Sequence, residues 1–387
     1  MGTRKPKVLH CITAYNGETI VPRAIHSALA MDQAVADIDI LILDDCSPQL
    51  GFSERIRKLC VELGINYYRT PRNLGIPRNC SLGLLAGLKN GYDFVTINNS
   101  DTIFSRSVIS ELIKAYRANP NVGSVTAWSN NVSIYSIPNK DPDHFLGTQE
   151  RTDWFANIVS GLYSGRVIDI PAGISFCILI PTDVVADVGI NDPVFGRGYC
   201  EETDWSLRSL AAGYRICLAP GAFTYHQGRG SNLTAGLVTG DQTTVPENEA
   251  IIDMRYPNFR SQCDIFISAN PLPKMHRDVA RAVIDAGLKD LGYEINICSP
   301  DLDVADDAVV SLNFNPHSDG GSGTLSYFGF QDQVSFSPSD IGASIKSTFG
   351  KVPLRINAYD RSALVSTLRE SFSESYALTR RNYPSLV

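Results

Sequence analysis

Asp101 stands after an apolar run and before a helical pattern, so its carboxylate is expected at the end of a strand. The run covers residues 92–97, and the helical pattern covers residues 107–118. Open α/β sheets bind their ligands at the carboxyl ends of the strands. A divalent cation that carries a diphosphate needs one or two protein carboxylates, because phosphate oxygens and water complete its shell. Asp101, with Asn99 and Ser100 beside it, suits that role, although an Asp-Thr pair is equally compatible with a cap on the next helix.

The other residues suited to chemistry are acids and one histidine at comparable positions. Asp45 follows the second predicted strand, and His226 ends a later one. Glu201, Glu202 and Asp204 open a predicted helix. Carboxylates and a histidine can bind a metal ion or move a proton, so these positions are candidates for both kinds of chemistry.

Each of these residues also has a purely structural interpretation. Asp45 is compatible with a loop that caps a helix. Glu201 and Glu202 would favour the positive end of a helix dipole. Asp204 and Arg208 are four residues apart and would stabilise any exposed helix face as an ion pair. No single residue therefore assigns a function.

The first part of the chain alternates between strand-like and helix-like patterns. This alternation predicts a mostly parallel sheet that is covered by helices on both faces. Polar clusters follow several strands at one edge of this sheet, where a nucleotide is expected. The predicted strands cover residues 7–13, 37–43, 65–68 and 92–97, and the predicted helices cover residues 18–31, 52–63 and 75–88.

The alternation of strand-like and helix-like segments becomes irregular after residue 125. An antiparallel strand is expected within residues 129–137, and another strand over residues 172–180. Residues 227–259 are rich in Gly, Thr, Asn and Pro without a clear period, which is typical of a flexible linker or lid. We therefore predict an α/β nucleotide-binding domain over residues 1–232, a linker or lid over residues 233–260, and a small α/β accessory domain over residues 261–387.

The predicted accessory domain contains no nucleotide motif. A helix predicted over residues 360–381 carries Leu364, Leu368, Phe372 and Tyr376 at helical spacing. Such a stripe belongs to a core or to an oligomer interface. A homodimer formed through this domain is compatible with the pattern.

The composition is that of an ordinary globular chain, with 387 residues, 43% hydrophobic and 19% charged. A net charge of −7 argues against nucleic acid as a partner, since nucleic-acid-binding surfaces are strongly basic. No apolar stretch approaches the ~20 residues that span a bilayer, and the start lacks the apolar core of a signal peptide. The nine cysteines are scattered without a C-x-x-C pair, so a reduced, cytoplasmic protein is expected.

The order of these motifs resembles the family-2 glycosyltransferases, which are nucleotide-sugar transferases of the GT-A fold. The resemblance is strongest to the bacterial rhamnosyl- and galactosyltransferase-like branch, and it covers roughly residues 7–232. It does not extend to residues 260–387. The matching segments are Thr13-Ala14-Tyr15-Asn16, Leu43-Asp44-Asp45-Cys46-Ser47, Asn73 to Asn79, Asn98 to Thr102, Gly173 with the strand after it, Glu201 to Arg208, Ala212-Gly213-Tyr214 and His226.

The resemblance implies a metal site for Mn²⁺ or Mg²⁺. Asp101 aligns with the last acid of the family's D-x-D motif, and His226 aligns with a histidine that completes the metal site in some members. Asn99 stands where the first acid is usual, which implies a site with fewer charges.

The resemblance also implies a donor site. Asp45 resembles the carboxylate that reads the nucleobase, with Thr13 and Tyr15 flanking the base. Arg78 is implied to meet the diphosphate, where a guanidinium suits phosphate oxygens. The implied nucleotide-sugar contacts also include Ala14, Asn16, Asn99, Ser100 and Asp101.

The attacking acceptor hydroxyl must lose a proton, which calls for a positioned carboxylate as general base. In the family, the second position of an acidic pair fills this role, usually with an aspartate. That position is Glu202 here, and Glu201 and Asp204 remain alternatives. The implied activity is an inverting, metal-dependent transfer from a UDP-, dTDP- or GDP-linked sugar to a glycan, glycolipid or glycoprotein, with peripheral membrane association compatible with such acceptors.

The sequence is also compatible with two other functions. A sugar nucleotidyltransferase shares the strand-end nucleotide site, but it would need a Gly-rich loop with Arg and Lys after the first strand. Residues 14–18 lack these features. A catalytically inactive sugar-nucleotide or glycan-binding module is the second alternative, and only the departures at Asn99 and Glu202 favour it.

Overall fold

The computed structural model describes residues 4–138, 145–228, 245–269, 271–297, 309–315, 321–358 and 363–372. The chain divides into two compact units, Met1–Pro271 and Leu272–Val387. Each unit is built around its own sheet. The predicted α/β fold class, with a large sheet flanked by helices and a second, smaller α/β domain, is confirmed.

The first unit contains a nine-stranded sheet in the order β3-β2-β1-β4-β8-β6-β9-β5, with β7 paired to β9. Strands β1 to β4 are mutually parallel where they pair, and β8 runs antiparallel between β4 and β6. The strands are β1 (Lys7–Ala14), β2 (Asp37–Asp44), β3 (Asn66–Arg69), β4 (Phe94–Asn99), β5 (Thr102–Phe104), β6 (Val122–Trp128), β7 (Ile168–Asp169), β8 (Cys177–Pro181) and β9 (Arg215–His226).

The helices of this unit flank the sheet and complete the α/β layers. They are α1 (Ile20–Leu29), α2 (Phe52–Leu63), α3 (Ile76–Lys89), α4 (Val108–Ala118), α5 (Gln149–Tyr163), α6 (Thr182–Val188), α7 (Glu201–Ala211), α8 (Pro246–Arg255) and α9 (Phe259–Ala269).

The helix α3 packs unusually close to the sheet because two glycines face it. A Cβ atom on Gly87 would lie 2.0 Å from Cγ2 of Val95, and one on Gly83 would lie 2.8 Å from Sγ of Cys11. Both contacts are too short for any side chain larger than hydrogen. The glycines therefore set the distance between α3 and the central strands.

The register of the central strands brings their carboxyl ends to one edge. In β1, Ala14 pairs with Asp44 of β2, and Thr13 pairs with Asn99 of β4. The chain leaves β1 toward β2 on one side, while β4 lies on the other side. This is a topological switch point, and a crevice opens outside the strand ends there.

Two predicted segments differ from the structure. Residues 129–137 form no strand beyond an isolated bridge between Ser129 and Ser136, because polar side chains in this segment bond to the end of β9. Part of the predicted linker is helical: α8 begins with Pro246 and carries two glutamates in its first turn, both of which favour a helix start. Residues 229–244 lie outside the described residues.

The second unit contains a five-stranded sheet in the order β13-β12-β11-β10-β14. Its strands are β10 (Tyr293–Ile297), β11 (Val310–Phe314), β12 (Ser322–Tyr327), β13 (Phe330–Ser335) and β14 (Ile356–Ala358), and its helices are α10 (Leu272–Asp290), α11 (Ile341–Phe349) and α12 (Ala363–Ser371).

The predicted C-terminal stripe belongs to the core of the second unit. Leu364, Leu368 and Phe372 are buried, whereas Tyr376 lies outside the described residues. Within the described part of the chain, no helix is both long and apolar enough to cross a membrane.

Candidate active site

A cleft of about 480 Å³ opens at the carboxyl edge of the first sheet. Residues from the ends of β1, β2, β4 and β9 line it, together with residues from α7, α8 and α9. The predicted site residues on its wall are Thr13, Ala14, Tyr15, Asp45, Asn99, Ser100, Asp101, Glu202 and His226. The strand register therefore gathers most of the positions that were predicted separately along the sequence.

His226 is held by the segment that replaces the predicted strand. Its backbone N–H donates to Oδ1 of Asn130 at 2.9 Å, and Nδ2 of Asn130 donates to its carbonyl oxygen at 3.1 Å. The ring Nδ1 lies 2.8 Å from the carbonyl oxygen of Asn131. The ring also stacks on Phe176, with centroids 5.2 Å apart. These contacts fix both the position and the tautomer of the imidazole.

Because Nδ1 donates to a carbonyl, a neutral His226 carries its lone pair on Nε2. That nitrogen lies 3.3 Å from Oδ1 of Asp101, and Nδ2 of Asn99 also lies 3.3 Å from it. Asp101 is 4% exposed. Asp101 is buried and His226 is half-buried, and two acceptor atoms that face each other at this distance can bind one divalent cation between them.

The spacing of these two atoms fits a divalent metal. Neighbouring ligands on an octahedral ion with bonds of about 2.1 Å lie about 3 Å apart, close to the observed 3.3 Å. The described residues contain no cluster of three or more His, Cys, Asp or Glu side chains that could hold a metal. Asp101 and His226 would therefore supply two ligands, and a bound diphosphate and water would supply the others.

Asp45 lines the cleft and also fixes the loop that leads into α3. Its carboxylate accepts hydrogen bonds from the backbone N–H of Leu74 at 2.7 Å, the backbone N–H of Gly75 at 2.9 Å and the hydroxyl of Thr70 at 3.1 Å. The neighbouring Asp44 is fully buried and accepts hydrogen bonds from Ser47 and Tyr67. Asp44 is therefore structural, whereas Asp45 faces both the loop and the cleft.

The two glutamates at the start of α7 differ in exposure. Glu201 is 3% exposed and does not line the cleft, whereas Glu202 is half-buried and lines it. Among the described residues, Oε2 of Glu202 has no hydrogen-bond partner. The structure thus presents one carboxylate of the pair to the cleft and places the other behind it.

Burial raises the pKa of both carboxyl groups. The negative charge of Glu202 raises the pKa of Glu201 further, and their mutual hydrogen bond raises the pKa of Glu201 while it lowers that of Glu202. The pKa of Glu201 is therefore raised further than that of Glu202, so Glu202 is the member of the pair that ionises first as the pH rises. Its raised pKa makes Glu202 a stronger base than an ordinary carboxylate.

Asp204 lies away from the cleft wall. It is fully buried, and its carboxylate accepts hydrogen bonds from Arg208 at 2.9 Å, from Arg255 at 2.8 Å and from Tyr256 at 2.9 Å. These three partners use both of its oxygens. Asp204 therefore anchors α8 to α7.

Asn16 and Arg78 also lie outside the cleft wall. Asn16 joins the loops after β1 and β2: its N–H donates to Ser47, and its Oδ1 accepts from the N–H of Gln49. Arg78 is directed to the carbonyl oxygens of Leu74 and Gly196, both at 3.4 Å. The structure thus gives these two residues loop-fixing contacts.

Arg197 lines the cleft and was not singled out in the sequence. Of the described residues on the cleft wall, it alone is an arginine or lysine. Its backbone carbonyl accepts from Ile76 at 3.0 Å, and Gly75 packs so closely there that a Cβ atom would lie 2.3 Å from the carbonyl oxygen of Gly196. The glycines on either side of Arg197 were the sequence signal of a residue presented by a tight loop.

Residues 10–166 match the family model described as "Glycosyl transferase family 2". Over these residues the chain is therefore similar to the family-2 glycosyltransferases. No curated protein matches the chain at a significant level.

Two solved structures of other proteins align with about three quarters of this chain. The crystal structure of GalNAc-T7 with UDP, GalNAc and Mn²⁺ is 14% identical with a TM-score of 0.49, over 72% of this chain and 54% of that chain. The mannosyltransferase PcManGT from Pyrobaculum calidifontis, in complex with GDP-Man and Mn²⁺, is 14% identical with a TM-score of 0.44, over 74% of this chain and 76% of that chain. This chain therefore spans about half the length of the GalNAc-T7 chain.

Proposed function

We propose that this protein is an inverting, metal-dependent glycosyltransferase. It would move a sugar from a nucleotide-diphosphate donor to a hydroxyl group of an acceptor. One observation carries the proposal: the candidate metal ligands Asp101 and His226 and the candidate base Glu202 line the same cleft at the strand ends.

The donor diphosphate is proposed to lie at the ends of β1 and β4. Asp101 and His226 would hold Mn²⁺ or Mg²⁺, which offsets the negative charge that develops on the leaving diphosphate. Arg197 adds a guanidinium on the same wall, where its forked donors suit phosphate oxygens. This assigns to Arg197 the part that the sequence suggested for Arg78.

Glu202 is proposed as the general base. As the acceptor oxygen bonds to the anomeric carbon, its proton passes to the Glu202 carboxylate, and the bond from that carbon to the diphosphate oxygen breaks. The leaving diphosphate keeps the electron pair. Attack from the face opposite the leaving group inverts the configuration of the anomeric carbon.

The donor would be a UDP-, dTDP- or GDP-linked sugar with its base near Asp45, Thr13 and Tyr15. The acceptor would be a glycan, glycolipid or glycoprotein. A cytoplasmic protein that builds polysaccharide is the setting that these substrates and the scattered cysteines favour.

The proposal is tested by incubating the full chain with UDP-, dTDP- and GDP-sugars, Mn²⁺ and a panel of glycoside acceptors. Release of nucleoside diphosphate would be followed, and the product anomer would be determined by NMR. The expected product has the anomeric configuration opposite to the donor. A retained configuration would contradict the assignment of Glu202. Formation of nucleoside triphosphate and sugar 1-phosphate after addition of pyrophosphate would favour a nucleotidyltransferase. Nucleotide binding without any turnover would favour the inactive binding module.

A further inference from the structure

The helix α9 presents an apolar stripe to the cleft. Phe259, Cys263 and Phe266 follow one another at four- and three-residue spacing, which places them on one helix face, and all three line the cleft. No side chain of this helix is fully buried, so both phenylalanines keep exposed ring surface. From Phe259 to Phe266 the stripe rises by about 10 Å, at 1.5 Å per residue.

The stripe lies on α9, which packs with α8, and this pair of helices is attached to α7. Arg255 and Tyr256, at the end of α8, bond to the buried Asp204 of α7 at 2.8 and 2.9 Å. Arg260, at the start of α9, bonds to Asp253 of α8 at 2.8 Å. The apolar stripe is thus held at a set position relative to Glu202 on the same helix α7.

Asn248 adds a second attachment between α8 and the loop before α7. Its Nδ2 group lies 3.1 Å from the carbonyl oxygen of Phe195, 2.7 Å from that of Gly198 and 2.9 Å from that of Tyr199. The side chain is 7% exposed. The loop that precedes the base and the helix that carries the stripe therefore form one packed assembly.

The chemistry of this wall fits a sugar ring. A pyranose has an apolar face of C–H groups, which packs on an aromatic ring, and a rim of hydroxyls, which donate to carboxylates. Phe259 and Phe266 supply the aromatic surface, and Glu202 and Glu249 supply carboxylates on the same cleft wall. An alkyl chain would leave the Glu202 carboxylate desolvated without a partner, which is costly. An anionic group placed beside Glu202 would be repelled by it.

We infer that the α9 stripe is the acceptor subsite and that it binds a pyranose ring, with one hydroxyl of that ring directed to Glu202. The inference rests on the proposed function, since Glu202 is the base there. It specifies a carbohydrate as the acceptor group and assigns Phe259 and Phe266 as its specificity-determining contacts. Both residues lie outside the 10–166 segment that matches the family model.

The test is saturation-transfer NMR on the full chain. The probes are the methyl α- and β-pyranosides of glucose, galactose, mannose, N-acetylglucosamine and rhamnose, with n-octyl β-glucoside as a test of alkyl-chain binding. Mn²⁺ and UDP, dTDP or GDP are present throughout. The variants are Phe259→Ala, Phe266→Ala, Phe266→Leu and Phe266→Trp. Ile265→Ala is the matched control, because this neighbouring side chain is 67% exposed and does not line the cleft.

At least one methyl pyranoside is expected to receive saturation at the C–H protons of one ring face. Affinity should fall about tenfold in the alanine variants, as expected for the loss of an aromatic contact. Phe266→Leu keeps apolar volume and should fold normally but show the same loss, whereas Phe266→Trp and Ile265→Ala should keep binding.

Three results would overturn the inference. The first is that the wild type saturates no methyl pyranoside. The second is that Phe266→Leu binds as well as the wild type, and the third is that only the octyl glucoside binds. The last result would identify an alkyl-chain site instead. A thermal shift with nucleotide and Mn²⁺ is recorded on every sample. A normal shift without pyranoside binding overturns this inference alone, whereas the absence of a shift in the wild type contradicts the proposed function as well.

Discussion

Three acids within four positions of α7 have three different environments. Glu202 faces the cleft, Glu201 lies buried behind it, and Asp204 is saturated with hydrogen bonds from Arg208, Arg255 and Tyr256. Spacing alone did not separate them. The structure separates them by what each carboxylate contacts. Of the three, only Glu202 lines the cleft, which is why it is the proposed base.

Glu202→Gln should slow transfer strongly and leave the fold intact. General-base catalysis contributes about 10²–10⁴-fold to a rate, so kcat should fall by about that factor. The free energy of unfolding at neutral pH should be unchanged or slightly higher, because the substitution removes a charge that burial disfavours. Steady-state kinetics and urea unfolding measure the two effects.

Glu247→Gln is the control for this substitution, because Glu247 is exposed on α8 and lies off the cleft wall. It should change neither quantity. If Glu202→Gln kept wild-type kcat, Glu202 would not be the base.

The raised pKa values of Glu201 and Glu202 predict opposite effects of pH on catalysis and on stability. Catalysis requires ionised Glu202, so kcat/KM should fall as the pH drops through its pKa, above the value of about 4.3 of an ordinary glutamate. The folded state holds protons more tightly than the unfolded state. The contribution of the pair to stability is therefore fully present below the unfolded pKa and is lost as the pH rises through the folded pKa.

The measurement compares urea unfolding of the wild type and of Glu201→Gln across pH 4–8. The difference in unfolding free energy between the two proteins should grow with pH, with the variant relatively more stable at high pH. A difference that is independent of pH would show that the two carboxyl groups titrate normally in the folded protein.

At the scale of elements, the helix α8 holds the loop that leads into α7. Asn248 attaches this helix to the loop, because three backbone carbonyl oxygens of the loop lie within 3.1 Å of its Nδ2. The loop ends at Tyr199 and Cys200, both of which have positive φ angles of 73°. An uncommon backbone conformation of this kind persists only where the surrounding contacts hold it.

Asn248→Ala should loosen this loop and misplace Glu202. We expect a stability loss of about 1–3 kcal/mol from unsatisfied buried carbonyl groups, with kcat lowered about tenfold or more because the base is no longer positioned. Nucleotide affinity should stay unchanged, since the strand-end contacts are untouched. Asn157→Ala, at an exposed position in α5 off the cleft wall, is the matched control, and a parallel loss of nucleotide affinity would contradict this role of α8.

Local periodicity predicted the first four strands and the helices between them, because each buries one face against the next layer. It also placed Thr13, Asp45 and Asp101 at strand ends, and the register of β1, β2 and β4 confirms that they share an edge. These features could be predicted because they depend on local hydrophobic periodicity and on the alternation of strands and helices. Both can be recognised in the sequence.

Other parts of the site depend on contacts between distant segments, which periodicity does not contain. Residues 129–137 alternate like a strand, yet Asn130 and Asn131 bond to the end of β9, nearly a hundred residues later in the chain. The helix α8 follows a stretch without periodicity, and its partner Asp204 lies in another motif. The placement of Arg78 off the cleft wall likewise follows from the close packing of Gly75 on Gly196.

At the scale of the whole molecule, the candidate site extends beyond the segment that matches the family model. The match ends at residue 166, whereas Glu202, His226, Phe259 and Phe266 lie beyond it. The strand ends within the match carry the proposed donor contacts. The segment after the match supplies the proposed base, one metal ligand and the acceptor wall, so acceptor choice is expected to reside there.

A thermal-shift panel on the full chain tests most directly whether the cleft binds a nucleotide-sugar donor through a metal ion at Asp101. UDP-, dTDP- and GDP-sugars are each added with Mn²⁺, Mg²⁺ or EDTA, to the wild type, to Asp101→Ala and to Asp285→Ala, an exposed-acid control in the second unit. A ligand at 100 times its Kd stabilises the native state by about 2.7 kcal/mol. A metal-dependent shift is expected with one nucleotide class, and it should be kept in Asp285→Ala and lost in Asp101→Ala. No shift with any donor, or an equal shift in EDTA or in Asp101→Ala, would contradict it.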